Sequence, residues 1–573
     1  MTAKIRFVLA SAALFICGTA DAQTTYLQLG EDEYHLLDRL ETKSGQLSDE
    51  LFLNAAPVSR KSAVSFLEQQ KRWFQPEESG VTLNKVDRYN LEHAISISGE
   101  WAADEQGAID SRTSWFNTFY KKQPDFLYVK TKDFFLSVNP VISFQYLSET
   151  AKTGGVSKSE GLYASSRGVE LRGWISKKIG FYTYVTDNQE QPVSYVRNWI
   201  HKYQAVPGAD YYQNEPGSKT FDYLQARGYI DFAIIKDHIN ATFGYDKQFI
   251  GDGIRSLFLS DFSSNTAFLK LTTKIWKLNY QNIYTELTPQ YERGADQRLP
   301  HKYSTAHYLS VNATRWLNIG LFENVIFSRN DRYPFSYMVP LIFFRAIERA
   351  AGSPDNVNLG INAKAILFNH VQLYGQLFLD EFKSSKLFSS DGWWGNKYGV
   401  QLGAKYFDAF TIRNLDLQAE MNMVRPYTYA HADSGGANYS NYNQPLAHPL
   451  GSGFVELIGV AQYRPIPKLA LTGKLMYYKK GVDTGNLNYG NDIFRSYNTF
   501  VNEYGVKMIN GLQSNCMLAS FNASYKLRER FFLDLGATYR KYTYDGNYLP
   551  EQTSLSVYGG FRLNIARRAY DFM

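Results

Sequence analysis

The sequence predicts an all-β protein, an 18-stranded antiparallel transmembrane β-barrel with a small N-terminal α-helical periplasmic region. Three observations predict it. The chain opens on an export leader, its hydrophobic period changes from helical to two and stays there, and its connections alternate between very short and long.

The leader is residues 1–22. Lys4 and Arg6 supply the positive start, Phe7 to Gly18 an apolar stretch too short to span a bilayer, and Ala20-Asp21-Ala22 a small-residue cleavage site before Gln23. Cleavage removes Cys17 and leaves Cys516, which has no internal disulfide partner. A closed, hydrogen-bonded sheet would stabilise an exported chain of this size without disulfides.

Composition agrees. Aromatic residues make up 16% of the 573 and charged residues 20%, which is far from the composition of a disordered chain. The mean hydropathy of −0.36 is too low for a bundle of membrane helices. The formal charge of +6 is small for the length and forms no basic run, so nucleic acid is not an expected partner.

Residues 23–125 read as helical. Leu36, Leu37 and Leu40 share one side of Glu31–Glu41. Ser59 caps a segment with Val64, Leu67 and Phe74 on one stripe, and Thr82 is placed to cap a third with Leu83, Val86, Leu91 and Ala94. Each helix has one apolar face and needs a surface to cover it, and the mouth of the following barrel would serve.

Residues 126–573 read as the barrel. Leu415, Leu417, Ala419, Met421 and Met423 alternate with Asp416, Gln418, Glu420 and Asn422, and Val557 to Ile565 behaves likewise. Segments of about ten residues with one apolar and one polar face suit a strand between lipid and lumen. The polar face carries Glu170, Arg172, Arg227, Asp231, Asp246, Asp380, Asp416, Glu420, Asp534, Arg540 and Arg562. Short turns fall near 177–178, 236–238, 276–277, 315–317, 368–370, 408–413, 465–467 and 528–530. Long segments fall at 148–166, 187–220, 247–266, 287–305, 328–356, 382–396, 425–452, 479–513 and 543–553. Outer-membrane barrels sort their loops in this way, with short periplasmic turns and long external loops. The predicted location is therefore the Gram-negative cell outer membrane, with outer-membrane lipid around the barrel.

The external loops hold the candidate ligand residues Trp393, Trp394, Arg425, Tyr427, Tyr429, His431, Tyr442 and His448. Aromatic rings pack on the C–H faces of sugars and cations pair with acidic sugars, although aromatic girdles also mark membrane interfaces. No Ser, His and carboxylate spacing forms a triad, and His431 with Asp433 lacks a second ligand pair. The reading is thus non-enzymatic, with no catalytic residues, no metal and no cofactor.

Several patterns, in this order, resemble the Wzi-type capsule-assembly outer-membrane protein family. They are Ser137-Val138-Asn139-Pro140, then Arg167 to Gly173 with Gly180-Phe181-Tyr182, then Phe249-Ile250-Gly251-Asp252-Gly253-Ile254-Arg255-Ser256-Leu257-Phe258-Leu259. Pro354-Asp355-Asn356 and Leu446-Ala447-His448-Pro449-Leu450-Gly451 follow. The resemblance implies an eighteen-stranded barrel, a periplasmic helical bundle and a lectin-like role in retaining surface or capsular polysaccharide. Alternative functions are an accessory subunit of an export or assembly complex with other envelope proteins, or a porin-like channel. The matched motifs suit the fold more than the ligand. Pro140 reads as a bulge or strand start, Gly251 and Gly253 as a tight turn with positive φ.

Overall fold

The computed structural model describes residues 25–75, 83–103, 109–110, 118–210, 212–215, 217–289, 299–328, 332–341, 343–352, 355–380, 386, 391–433 and 436–572. The leader, Thr82 and Gln23 lie outside them.

Three helices come first: α1 (Asp32–Ser44), α2 (Arg60–Trp73) and α3 (Lys85–Ile97). Ser59 caps α2 by accepting from the Ser62 amide. The cap of α3 is Asn84, which accepts from the amides of Val86 and Asp87, so that helix starts later than a Thr82 cap would give. Their apolar stripes close on one another through Leu36, Leu40, Val64, Phe66, Leu67, Leu91 and Ile95.

Eighteen strands then close into one antiparallel barrel. They are β1 (Phe134–Thr153), β2 (Val156–Ile175), β3 (Ile179–Glu190), β4 (Phe221–Ile235), β5 (Ile239–Asp246) and β6 (Thr266–Ile275). Next are β7 (Leu278–Leu287), β8 (Lys302–Asn312), β9 (Leu317–Phe327), β10 (Asn356–Leu367), β11 (Val371–Asp380) and β12 (Tyr398–Tyr406). The last are β13 (Leu415–Val424), β14 (Phe454–Ile466), β15 (Leu469–Val482), β16 (Leu512–Arg528), β17 (Phe531–Tyr544) and β18 (Gln552–Leu563). Two further helices lie in long connections, α4 (Ser194–Tyr203) and α5 (Phe344–Ala351).

Side chains alternate as a membrane barrel requires. Leu224, Phe243, Leu321, Leu475, Leu535 and Val557 are exposed on the outside, while Glu170, Arg172, Asp231, Glu420 and Asp534 are buried inside. Alternating short and long connections leave every short turn at one end and every long loop at the other.

One of the long connections differs from expectation. Residues 148–166 belong to the two 20-residue strands β1 and β2, which pair up to Thr153 and Val156 around Gly154-Gly155. Residues of this stretch alternate less cleanly than the barrel body, and so read as loop.

Pro140 is neither a bulge nor a strand start. It lies inside β1, where the neighbouring partner changes. β18 pairs with β1 down to Ile142, and a short strand, Leu127–Lys130, pairs with Phe135–Val138. The Pro140 carbonyl points into that gap and accepts from Asn564 Nδ2 at 2.8 Å. The missing N–H faces the same gap, so it deprives no ladder of a donor.

Candidate functional site

The lumen is filled by the chain's own segments, and they determine which loop residues remain accessible. At the short-turn end, α1 is locked to the barrel by ions. Arg39 meets Asp87 of α3 at 2.9 Å, Asp408 in a turn at 2.6 Å and Asp416 of β13 at 2.5 Å. Lys43 joins Asp87 and Asp408 at 2.8 Å each, and Lys364 of β10 meets Glu41 at 2.9 Å. Burial disfavours the charged form of Asp408, but Arg39 and then Lys43 outweigh it and bring its pKa down to about 2.

The connection between β5 and β6 enters the lumen from the long-loop end. Ile250 and Phe249 pair with Ala55 and Ala56, so this loop reaches the N-terminal region. Glu420 accepts from the amides of Ile254 and Arg255, and Gln376 from that of Leu257. Phe258 stacks on Phe322 with centroids 4.8 Å apart and planes 2° from parallel. Gly251 has φ of +149° and supports the expected turn, whereas Gly253 has no positive φ. Close approach requires it instead, since a Cβ there would lie 2.4 Å from Glu420 Oε2. The apolar residues Ile250, Ile254, Leu257 and Phe258 in a supposedly external loop were the available signal for this inward path.

After β18 the chain also turns inward. Arg255 donates to the Asp571 carbonyl at 2.6 Å, Tyr570 donates to Glu190 at 2.7 Å, and Phe572 packs with Trp199 and Phe262. A cavity of about 520 Å³ remains beside this tail, lined by Arg227, Arg255, Lys474, Arg562 and Arg568 among others.

The predicted ligand residues divide into two groups. Tyr427, Tyr429, His431, Tyr442 and His448 are buried. Tyr429 donates to the Leu257 carbonyl at 2.8 Å, and Tyr427 to that of Asn488 at 2.8 Å. Tyr427, Tyr429 and Tyr442 hold φ values of +67°, +70° and +50°, a conformation a tyrosine keeps only where its surroundings fix it. His448 Nδ1 accepts from the Leu450 amide at 3.2 Å, so the proton is on Nε2, which donates to Glu456 at 2.7 Å. Burial lowers the His448 pKa, in keeping with a neutral ring. These five residues hold the loops over the filled lumen rather than present a surface.

Trp393, Trp394 and Arg425 keep accessible area and come together. Trp394 stacks on Phe500 at 4.9 Å and 18°, and lies 5.2 Å from Tyr497. Lys397 Nζ sits 3.7 Å from the Tyr497 centroid and 5.4 Å from that of Trp394. Arg425 donates to the Val506 carbonyl at 3.3 Å, and the half-exposed Tyr504 ring carries Lys386 Nζ at 5.2 Å. The result is a platform of aromatic rings at the long-loop end, with Lys386 and Arg425 on its edge and Lys397 buried behind it at 1% exposure. Tyr497, Phe500 and Tyr504 were not singled out from sequence, because their loop is remote in the chain from Trp393-Trp394 and shows no spacing that joins them; Lys397, three residues after Trp394, was not singled out either.

No protein family and no curated protein matches the chain at the sequence level. Solved structures do match. Wzi from Escherichia coli, described as an outer membrane protein involved in group 1 capsule assembly and a carbohydrate-binding β-barrel, aligns over 95% of this chain and 100% of its own, with a TM-score of 0.54 at 11% identity. The chain has the Wzi fold. OprD of Pseudomonas aeruginosa covers 74% of this chain and 95% of its own at a TM-score of 0.39 and 9% identity. At that score it adds nothing to the Wzi comparison. The match to Wzi takes in the N-terminal helical part as well as the barrel, as its coverage of 95% requires.

Proposed function

We propose that the protein is a non-enzymatic outer-membrane barrel that binds surface or capsular polysaccharide at its long-loop end and so retains or organises that layer. In this reading the short turns and the helices α1–α3 are periplasmic and the long loops external. The observation that carries it is the aromatic platform of Trp393, Trp394, Tyr497, Phe500 and Tyr504, edged by Lys386 and Arg425. Rings of this kind stack on sugar faces, and the cations suit a polymer carrying carboxylates. The Wzi fold supports the same ligand class. The filled lumen is the reason an open diffusion pore is set aside.

The test is deletion of the gene, with polysaccharide measured on cells and in the medium. Normal production with material moved from cells to medium supports retention. An unchanged surface layer refutes it. Binding of purified protein to the isolated polymer, compared with a Trp394→Ala variant, then locates the site.

A further inference from the structure

The connection between β9 and β10 does not project from the long-loop end. It folds back down the outer wall of the barrel. Tyr280 and Tyr284 of β7 point outward, and their hydroxyls donate to the carbonyls of Pro340 and Met338. Tyr280 lies three residues after the short turn at 276–277, so the connection descends most of the height of the wall. Tyr337 and Phe344 pack on Val325, Phe327 and Val357, all on the outward face.

Beneath this connection is a feature unexpected on a wall that faces lipid. Asn282, His307 and Glu323 are register partners across β7, β8 and β9, and all three point outward. They are nevertheless buried, at 2%, 6% and 7% exposure. Polar and ionisable groups at membrane depth are costly and occur where protein covers them. Here the covering is visible. Glu323 Oε1 accepts from the Phe344 amide at 2.7 Å and caps the start of α5, and the Phe344 ring lies 4.2 Å from that of His307.

The other side of the same connection is apolar from Phe335 to Phe343, and α5 beyond it exposes Arg345 and Arg349. Phe335, Leu341 and Phe343 are exposed to 86%, 84% and 76%, with Met338 and Val339 beside them. A patch of this kind on a water-exposed loop would be unfavourable, whereas beside Leu321 and Ile361 it continues the apolar belt of the barrel. Irregular backbone is excluded from lipid unless its polar groups are satisfied. Two carbonyls are satisfied by the Tyr280 and Tyr284 hydroxyls, and Pro334 and Pro340 have no N–H to satisfy.

We propose that residues 333–341 and 343–344 form a re-entrant flap lying within the membrane, seated on the polar row Asn282–His307–Glu323 and turning Phe335, Leu341 and Phe343 to lipid acyl chains. The occupant of its outer face is therefore lipid and not a partner protein. The inference rests on the membrane placement proposed above and is independent of polysaccharide binding.

The test uses the full protein in phosphatidylcholine vesicles, with single spin labels at Leu341→Cys and Phe343→Cys. Cys516 is fully buried, so it does not compete for label. Leu535→Cys on the opposite wall is the lipid control and Ser157→Cys on the exposed β1–β2 hairpin the water control. Labels at 341 and 343 are expected to be several-fold more accessible to oxygen than to a water-soluble nickel chelate, as at 535, while 157 shows the reverse. Chelate accessibility at 341 and 343 matching that at 157, with 535 still in lipid, overturns the flap and leaves the barrel's placement intact. Exclusion of both reagents at 341 and 343 also overturns it, because protein would then cover the face. Chelate access at 535 overturns the placement itself and the flap with it.

Discussion

Arg39→Met tests whether ions hold the helices to the barrel. The guanidinium is 4% exposed and meets three carboxylates, Asp87, Asp408 and Asp416, of which two belong to the barrel. Met keeps most of the stem's packing and removes the charge, leaving Lys43 alone against Asp87 and Asp408. The depression of Asp408 from 3.8 to about 2 corresponds to about 2 kcal/mol for that carboxylate. Removing one member of a buried ionic cluster costs about 3–5 kcal/mol in total. Undocked molecules should then increase by roughly a hundredfold or more at neutral pH. Hydrogen exchange reads this directly: α1 amides should lose protection by that factor while β1–β18 amides keep theirs. Unchanged α1 protection in the variant would refute the reasoning, and so would equal loss across the barrel, which would mean that helices and barrel unfold together.

Acid should act on the same latch in the wild type. Because the folded pKa of Asp408 is depressed, its contribution is complete above about 4 and is lost as the pH falls toward 2, so α1 protection, corrected for intrinsic exchange, should decline only in that range. Pro140→Ala should change thermal stability by less than about 1 kcal/mol, measured by heat-dependent migration in detergent gels, since the ladder loses no donor there. Trp394→Ala should weaken polymer binding at least tenfold without altering barrel stability, which a binding titration and the same gels would check. Planar bilayers containing the wild type should show little conductance, and replacing residues 250–258 by a short glycine–serine link should raise it, as a current recording would show.

The barrel was legible because two-residue alternation and sorted connections are direct consequences of standing between lipid and lumen. Ser59 announced its helix for a similarly local reason. What stayed hidden depends on distant partners. Asn84 rather than Thr82 caps α3, and nothing local distinguishes two polar residues so close together. Tyr427, Tyr429, His431, Tyr442 and His448 have the composition of a sugar site, yet burial makes them supports, while the Trp393-Trp394 segment meets Tyr497 and Phe500 only after folding. The interior segments were hidden because a loop's length says where it could go and not that it turns inward. Asn282, His307 and Glu323 were hidden for the opposite reason: the alternation assigns them to lipid, and only the covering connection explains them.

The long β1–β2 hairpin leaves a stretch of ladder that the barrel does not close. β3 pairs with β2 only as far as Ala164, and the Gln191 amide still donates to the Tyr163 carbonyl, so residues 156–162 carry a free backbone edge above the rim. Such an edge invites a strand from another molecule, and sheet by sheet addition is how β-proteins aggregate. Charge guards it here. Lys158 stands exposed on the edge, and Glu160 is held by Arg197 at 2.5 Å and by Lys219, so an incoming strand would have to displace or bury ions before it could pair. Two barrels standing side by side would meet that guard before their hairpins could zip together.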